Sequence, residues 1–318
     1  MNFRGLKRLT ATAIFATLLT PSFLIPQAEA ASTVVSPVAP KAFINSDLAY
    51  GEVLIREGTT FITLTDLKPL GDYTYKYDSA KKQITISSKD TKVVVTAGSK
   101  LMQVNGANKT LTNAPFLHKG KTMVPLRAVS MAFHAKIYWN APTKTVFIAK
   151  PDPNVVAGLH SESLTTARNA ALYMPRVSLI PQDLIERTYL EMQGQDYYFP
   201  KNRADMYFEL DNDLVSYYKI RNNTAELKWQ AKLHIEKGKD PKSNFFILPY
   251  HFTKEIGQQP DIKDLTFARF RFRYPVGSTF YSMVNSKGEY AFGDVELDNH
   301  SPNYEGVIVE IPEEADDN

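Results

Sequence analysis

Gly120-Lys121-Thr122-Met123-Val124-Pro125-Leu126 lies over Gly58-Thr59-Thr60-Phe61-Ile62-Thr63-Leu64 at an offset of 62 residues, and the overlay continues without a gap. Tyr75-Lys76-Tyr77-Asp78 falls on Ile137-Tyr138-Trp139-Asn140, and Lys82-Gln83-Ile84-Thr85-Ile86 falls on Lys144-Thr145-Val146-Phe147-Ile148. Gly58, Thr60, Leu64, Lys82 and Ile86 all meet identical residues. Self-similarity at a fixed spacing implies one supersecondary unit used twice.

Each unit reads as a strand, a short helix and a hairpin whose strands are rich in β-branched and aromatic residues. The units span about residues 43–87 and 103–149. Their hairpin turns, Asp78-Ser79-Ala80-Lys81 and Asn140-Ala141-Pro142-Thr143, open on residues whose side chains can bond the nearby backbone. Between them, Lys92 to Thr96 and Leu101 to Val104 read as strands, and Asn105-Gly106 is a hairpin signal ahead of Lys109-Thr110-Leu111.

Gly120 to Val129, Ala135 to Asn140 and Thr143 to Val146 together resemble the copper amine oxidase N-terminal-like domain, also called the stalk domain. The resemblance covers residues 41–150. The first unit departs from the family pattern, with Thr63 in place of the usual proline, Thr65 in place of arginine, and Pro69 inside the short helix. The resemblance implies a non-catalytic module of secreted and surface proteins of Gram-positive bacteria, carrying neither copper nor the quinone.

Upstream, Arg4, Lys7 and Arg8 precede an apolar run from Ala11 to Ile25, and Ala28-Glu29-Ala30 sets small residues at the two positions that signal peptidase requires. Pro21 and Pro26 break the run, which favours a cleaved signal over a spanning helix. The expected organisation is a signal peptide at 1–30, cut between Ala30 and Ala31, and a linker at 31–40. Losing Arg4, Lys7, Arg8 and Glu29 takes the formal charge from +3 to +1. A nearly neutral chain has no field to draw nucleic acid or a membrane surface. With no cysteine, its stability is expected to come from packing alone.

Downstream, Pro151-Asp152-Pro153-Asn154 marks a linker at 151–158 ahead of a β-rich domain at 159–312. Ser161 or Ser163 caps a short helix through Tyr173, and Pro181-Gln182-Asp183-Leu184 reads as a second helix start. From Ala225 to Glu236 apolar and polar residues alternate, the pattern of a half-buried antiparallel strand. Leu214 to Ile220, Phe245 to Leu248, Phe267 to Tyr274 and Val307 to Ile311 supply further strands, and 313–318 is an acidic tail expected to fray. The expected fold class is α+β and mostly β, the repeat module being followed by an antiparallel sheet with one or two helices.

The family name makes an oxidase site the first chemistry to test. Asn303-Tyr304-Glu305 resembles the surroundings of the quinone-forming tyrosine, but His118, His134, His160, His234, His251 and His300 form no His-x-His pair. Glu209, Asp211 and Asp213 are the acids that a polysaccharide hydrolase would use, although Asp211-Asn212-Asp213 reads more simply as a turn. Tyr197-Tyr198-Phe199 and Tyr217-Tyr218 suit stacking on sugars or filling a core. Arg269, Arg271 and Arg273 alternate on one strand face, an arrangement for binding an anion or for ion pairing with acids on a neighbouring strand. No catalytic residue, metal site or cofactor is expected. The reading is a secreted or cell-wall-associated, non-catalytic protein whose stalk presents an interaction or structural domain to a cell-wall polymer or a surface protein. The alternatives are a hydrolase of envelope polysaccharide and a sensor for a small ligand.

Overall fold

The computed structural model describes residues 39–188, 195–234, 252–273, 277–297 and 307–315. The signal segment with Ala30 and Ala31, the Phe245 to Leu248 strand and the Asn303-Tyr304-Glu305 tripeptide lie outside the described residues. So does Glu236, at the end of the alternating run.

The first half runs β1 (Lys41–Ile44), β2 (Asp47–Leu48), β3 (Leu54–Arg56), β4 (Thr59–Thr63), a 3-10 turn (Leu64–Leu70), β5 (Thr74–Asp78), β6 (Gln83–Ser87), β7 (Lys92–Thr96), β8 (Leu101–Val104) and β9 (Ala107–Thr110). It continues through β10 (Phe116–His118), β11 (Lys121–Pro125), α1 (Leu126–Phe133), β12 (Lys136–Asn140) and β13 (Thr145–Ala149). β4 leads into the 3-10 turn and β11 into α1, and the two strands pair antiparallel with Ile62 opposite Val124. Pro69 lacks an N–H and cannot continue an α-helix, so the first helical piece stays 3-10 and stops at Leu70. Leu64, Leu67, Val93, Val124, Val129, Phe133 and Val146 fill one core among the three small sheets. Asn105 and Gly106 both take positive φ in the β8–β9 turn, as the Asn-Gly signal requires.

The second half begins with α2 (Pro153–Gly158) and α3 (Leu164–Leu172), then β14 (Arg176–Ser178), β15 (Gln195–Pro200), β16 (Met206–Asp211), β17 (Leu214–Arg221), β18 (Thr224–Leu233), β19 (Phe252–Gly257), β20 (Phe267–Arg273), β21 (Ser278–Asn285), β22 (Gly288–Glu296) and α4 (Pro312–Ala315). The strands form one sheet in the order β14-β18-β17-β16-β15-β20-β21-β22, with β19 also paired to β18. Every pair is antiparallel except β14 with β18. Both faces of its central strands are buried, while β19 and β22 are largely exposed. Tyr207, Phe199, Phe270 and Met283 pack on one face against residues of α3, Ile180, Ile185 and Ile308, while Tyr198, Phe208, Tyr217 and Phe267 form a second cluster on the other.

The alternating run in β18 therefore does not define a single inward face. Tyr217 pairs with Trp229 and Tyr218 with Leu227, so Lys228 is an extra residue, a β-bulge. A one-residue slip exchanges faces. Ala225 and Leu227 accordingly join the α3-side cluster, whereas Trp229, Ala231 and Leu233 join the opposite one.

Four other local expectations change. Ser163 caps α3 as expected, its side chain accepting from the Thr166 N–H. The Pro181 segment, in contrast, forms no helix: the Ile185 N–H donates to Gln230 Oε1, a partner that a helix would not leave free. Val307 to Ile311 joins no sheet, yet Ile308 and Ile311 are buried, and Ile308 N–H and C=O both bond the Asn169 amide. The region read as linker holds α2, capped by Asp152, whose Val155 and Val156 pack on the core.

The acidic tail is also partly core. Glu314 is 6% exposed and clamps Arg168 from α3 through two bonds of 2.6 and 2.7 Å, while also accepting from the Asn202 N–H. The Arg168 guanidinium sits over the Phe199 and Phe270 rings, so its cation is shared between a carboxylate and two aromatic faces.

Candidate functional site

The arginine face singled out in β20 lies on the Phe208 side of the sheet and is internally neutralised. Asp196 on neighbouring β15 accepts from Arg269 at 3.1 Å and from Arg271 at 2.5 and 2.7 Å. Arg269 also donates to Glu289 of β22 at 2.7 Å, and Arg273 pairs with Asp294. Arg269 and Asp196 are 3% and 1% exposed, so this pair is a buried structural unit rather than an open anion seat. Sequence spacing places the three guanidinium groups together but cannot show which acids the register sets beside them.

The acids read as hydrolase candidates are likewise engaged. Glu209, 4% exposed, takes Arg176 at 2.9 and 3.1 Å and lies beside Gln195 Nε2. Asp211 holds Arg187, and Asp213 accepts the Thr188 N–H at 2.7 Å and faces Lys232 at 3.5 Å. Asn212 and Asp213 form the β16–β17 turn, with Asn212 at positive φ. Most of the two tyrosine clusters is core: Tyr198 and Phe199 are fully buried and Tyr217 and Tyr218 nearly so, and burial pushes the Tyr198 hydroxyl well above its ordinary pKa. Among the described residues, no group of three His, Cys, Asp or Glu is placed to hold a metal ion. No helix among them is long and apolar enough to cross a membrane.

Concavities among the described residues include the following two. A groove of about 510 Å³ runs between the sheet and the connection from β19 to β20. Its floor is Met206, Phe208 and Tyr217, the two rings stacked at 4.6 Å, and Ile262 and Leu265 line it as well. Strand alternation puts Tyr217, Lys219 and Arg221 of β17 on one face, and Arg203 and Lys228 complete a cationic rim in which Asp261 is the single acid. Arg203 is bound to Asp205 at 2.7 and 2.8 Å, and Lys228 is paired with Glu226. Burial first, then the Asp205 charge, raises the Tyr217 hydroxyl to about 12. The signal for this site was present in Tyr217-Tyr218-Lys219-Ile220-Arg221, but an alternating aromatic and cationic strand becomes a cationic groove only when the acids of its neighbours, here Asp205 and Glu226, are taken up by other cations.

The second concavity, about 310 Å³, lies where the two halves of the chain meet. Phe43 and Phe147 stack at 5.3 Å on one side, and Asp183 and Glu186 from the strap after β14 line another. Asn140 fixes this junction by donating to the carbonyls of Ser178 and Ile180 at 3.2 and 2.6 Å. Its side chain thus bonds the second half rather than its own turn, whereas Asp78 in the first unit does accept from its turn, at Lys81 N–H. Val177 covers Phe147 and Ala149 of β13.

No curated protein matches the chain. Beyond the first half there is no family match. Residues 45–148, which hold β2 through most of β13, match the family model of the Copper amine oxidase N-terminal domain.

Proposed function

We propose that this is an exported, envelope-associated protein without catalytic activity, in which the N-terminal stalk-type domain carries a β-rich half that binds a cell-wall polymer or another surface protein. The observation that carries the reading is the state of the acids. Asp196, Glu209, Asp211, Asp213 and Glu314 are each held by a cation, a backbone N–H or both. Glycoside hydrolysis needs two carboxyl groups facing one cleft with their pKa values set apart. The larger groove instead has four cations and one acid, the makings of a binding surface. The charged and apolar pattern ending at Ala28-Glu29-Ala30 supports export with cleavage before Ala31.

The hydrolase alternative has one feature in its favour, since Asp183 and Glu186 share the junction cavity with the Phe43 and Phe147 pair. Fractionation of producing cells tests both readings. The expected result is a processed chain beginning at Ala31, retained by a wall or surface-protein fraction. Recovery in the cell interior alone, or sugar release from wall polysaccharide that D183N or E186Q abolishes, would overturn the proposal.

A further inference from the structure

We infer that the groove between β17 and the Gln258 to Leu265 connection binds an organic anion, a phosphate or carboxylate group joined to a ring or acyl body. The inference names a ligand class for the interaction role proposed above and rests on that reading for its biological setting alone. The cations are the first support. Arg203 and Lys228 are committed to Asp205 and Glu226, but Lys219 and Arg221 make no ion pair among the described residues. Two residues apart on one strand, their stems are about 7 Å from each other. Two like charges at that spacing repel, and an anion between them replaces repulsion with two charge-assisted hydrogen bonds. The Arg221 guanidinium can grip two oxygens of one phosphate or carboxylate, while the Lys219 ammonium acts as a point charge.

The floor is the second support, and it separates this site from an ordinary basic patch. Phe208 and Tyr217 are stacked at the base of the groove, and the Lys219 ammonium lies 6.0 Å from the Tyr217 ring centroid. Met206, Ile262 and Leu265 extend the apolar surface. A bare inorganic anion would gain nothing from that floor, and a neutral apolar molecule nothing from the rim. A ligand that has both parts uses the whole groove, whose volume suits a small molecule or one segment of a polymer. The contrast with β20 shows that the open charge is a local property. Arg269, Arg271 and Arg273 alternate in the same way, yet Asp196, Glu289 and Asp294 close them off.

Calorimetric titration of the purified full chain tests this with three probes: 1-naphthyl phosphate, 1-naphthol and inorganic phosphate. The expected result is that naphthyl phosphate binds at least tenfold more tightly than either of the others, and more weakly as salt rises. K219Q/R221Q is expected to lower that affinity at least tenfold with an unchanged thermal midpoint, and K254Q, an exposed cation of β19 outside the groove, is expected to leave it intact. Replacing naphthyl phosphate by 1-naphthoate sorts the natural source: stronger binding points to a carboxylate ligand, weaker binding to a phosphate one. Naphthyl phosphate binding no tighter than inorganic phosphate, or undiminished in K219Q/R221Q, overturns the inference. Envelope retention is read on the unmodified chain. A protein that is retained but takes no probe therefore defeats the groove alone, and one that takes the probe but is not retained defeats only the envelope reading.

Discussion

Asn140 and Asp78 occupy the same place in the two sequence units and make opposite demands on their side chains. Asp78 needs an acceptor, because Lys81 N–H points at it across the turn. Asn140 needs a donor, because its Nδ2 bridges the carbonyl oxygens of Ser178 and Ile180 while the residue is 5% exposed. A carboxylate at position 140 would face two carbonyl oxygens with no proton to offer. Leaving such buried groups unsatisfied costs about 1 to 3 kcal/mol, and more for a charged one. N140D is therefore expected to lose more stability than N140A in urea unfolding, by at least ~1 kcal/mol, whereas D78N on the exposed turn stays within about 0.5 kcal/mol of the parent. Equal losses for N140D and N140A would show that the amide donor is not what holds the junction.

The β18 bulge is the element on which the second sheet turns. Lys228 is extra to the β17 pairing, and its carbonyl would lie 2.3 Å from a Cβ added at Gly257, which sits at φ +77° opposite Trp229. A side chain there meets backbone, not a flexible group that can swing aside. Gly58 also has positive φ, at +68°, but an added Cβ would meet nothing within 4 Å. G58A is thus expected to cost only the left-handed strain, about 1 kcal/mol, and G257A about 2 to 4 kcal/mol, compared by chemical denaturation. Similar costs for the two would mean that the close approach to Lys228 is relieved without penalty. This element also marks the limit of what the chain discloses. The period of two in Ala225 to Leu233 is plain in the sequence and the strand forms, but which face each residue joins depends on a bulge defined by the partner strand. The Pro181 segment fails in a related way, since a helix start is a local signal and the Gln230 side chain that captures the Ile185 N–H is distant in sequence.

At the scale of the whole molecule, the joining of the halves was legible in one respect. Tyr138, Phe147 and Ala149 stand where the first unit has Lys76, Thr85 and Ser87, and Val177 covers the apolar set. The apolar face of the second hairpin is the docking face, and its polar counterpart in the first is not. The candidate groove was less legible, because Lys219 and Arg221 differ from the β20 arginines in that the nearby acids Asp205 and Glu226 are bound to Arg203 and Lys228 instead. The same sheet stores many hydroxyls away from water, which gives the fold a distinct response to alkali. Burial raises Tyr197, Tyr198, Tyr207 and Tyr218 above their ordinary range and Tyr217 to about 12, and in the first half it raises Tyr75 to about 12 as well. An unfolded tyrosine ionises near pH 10. A folded pKa above that value means the unfolded chain releases protons first, so this contribution to stability is fully present below about pH 10 and is lost as pH rises toward and beyond 12. The expected outcome is a urea midpoint that falls steeply between about pH 10 and 12. In the native chain the buried tyrosines would ionise, seen as tyrosinate absorbance, only as circular dichroism is lost. Ionisation of Tyr198, Tyr207 and Tyr218 near pH 10 with the dichroism intact would show that the two faces of the sheet are wet, and that the aromatic clusters are not the core that holds this half together.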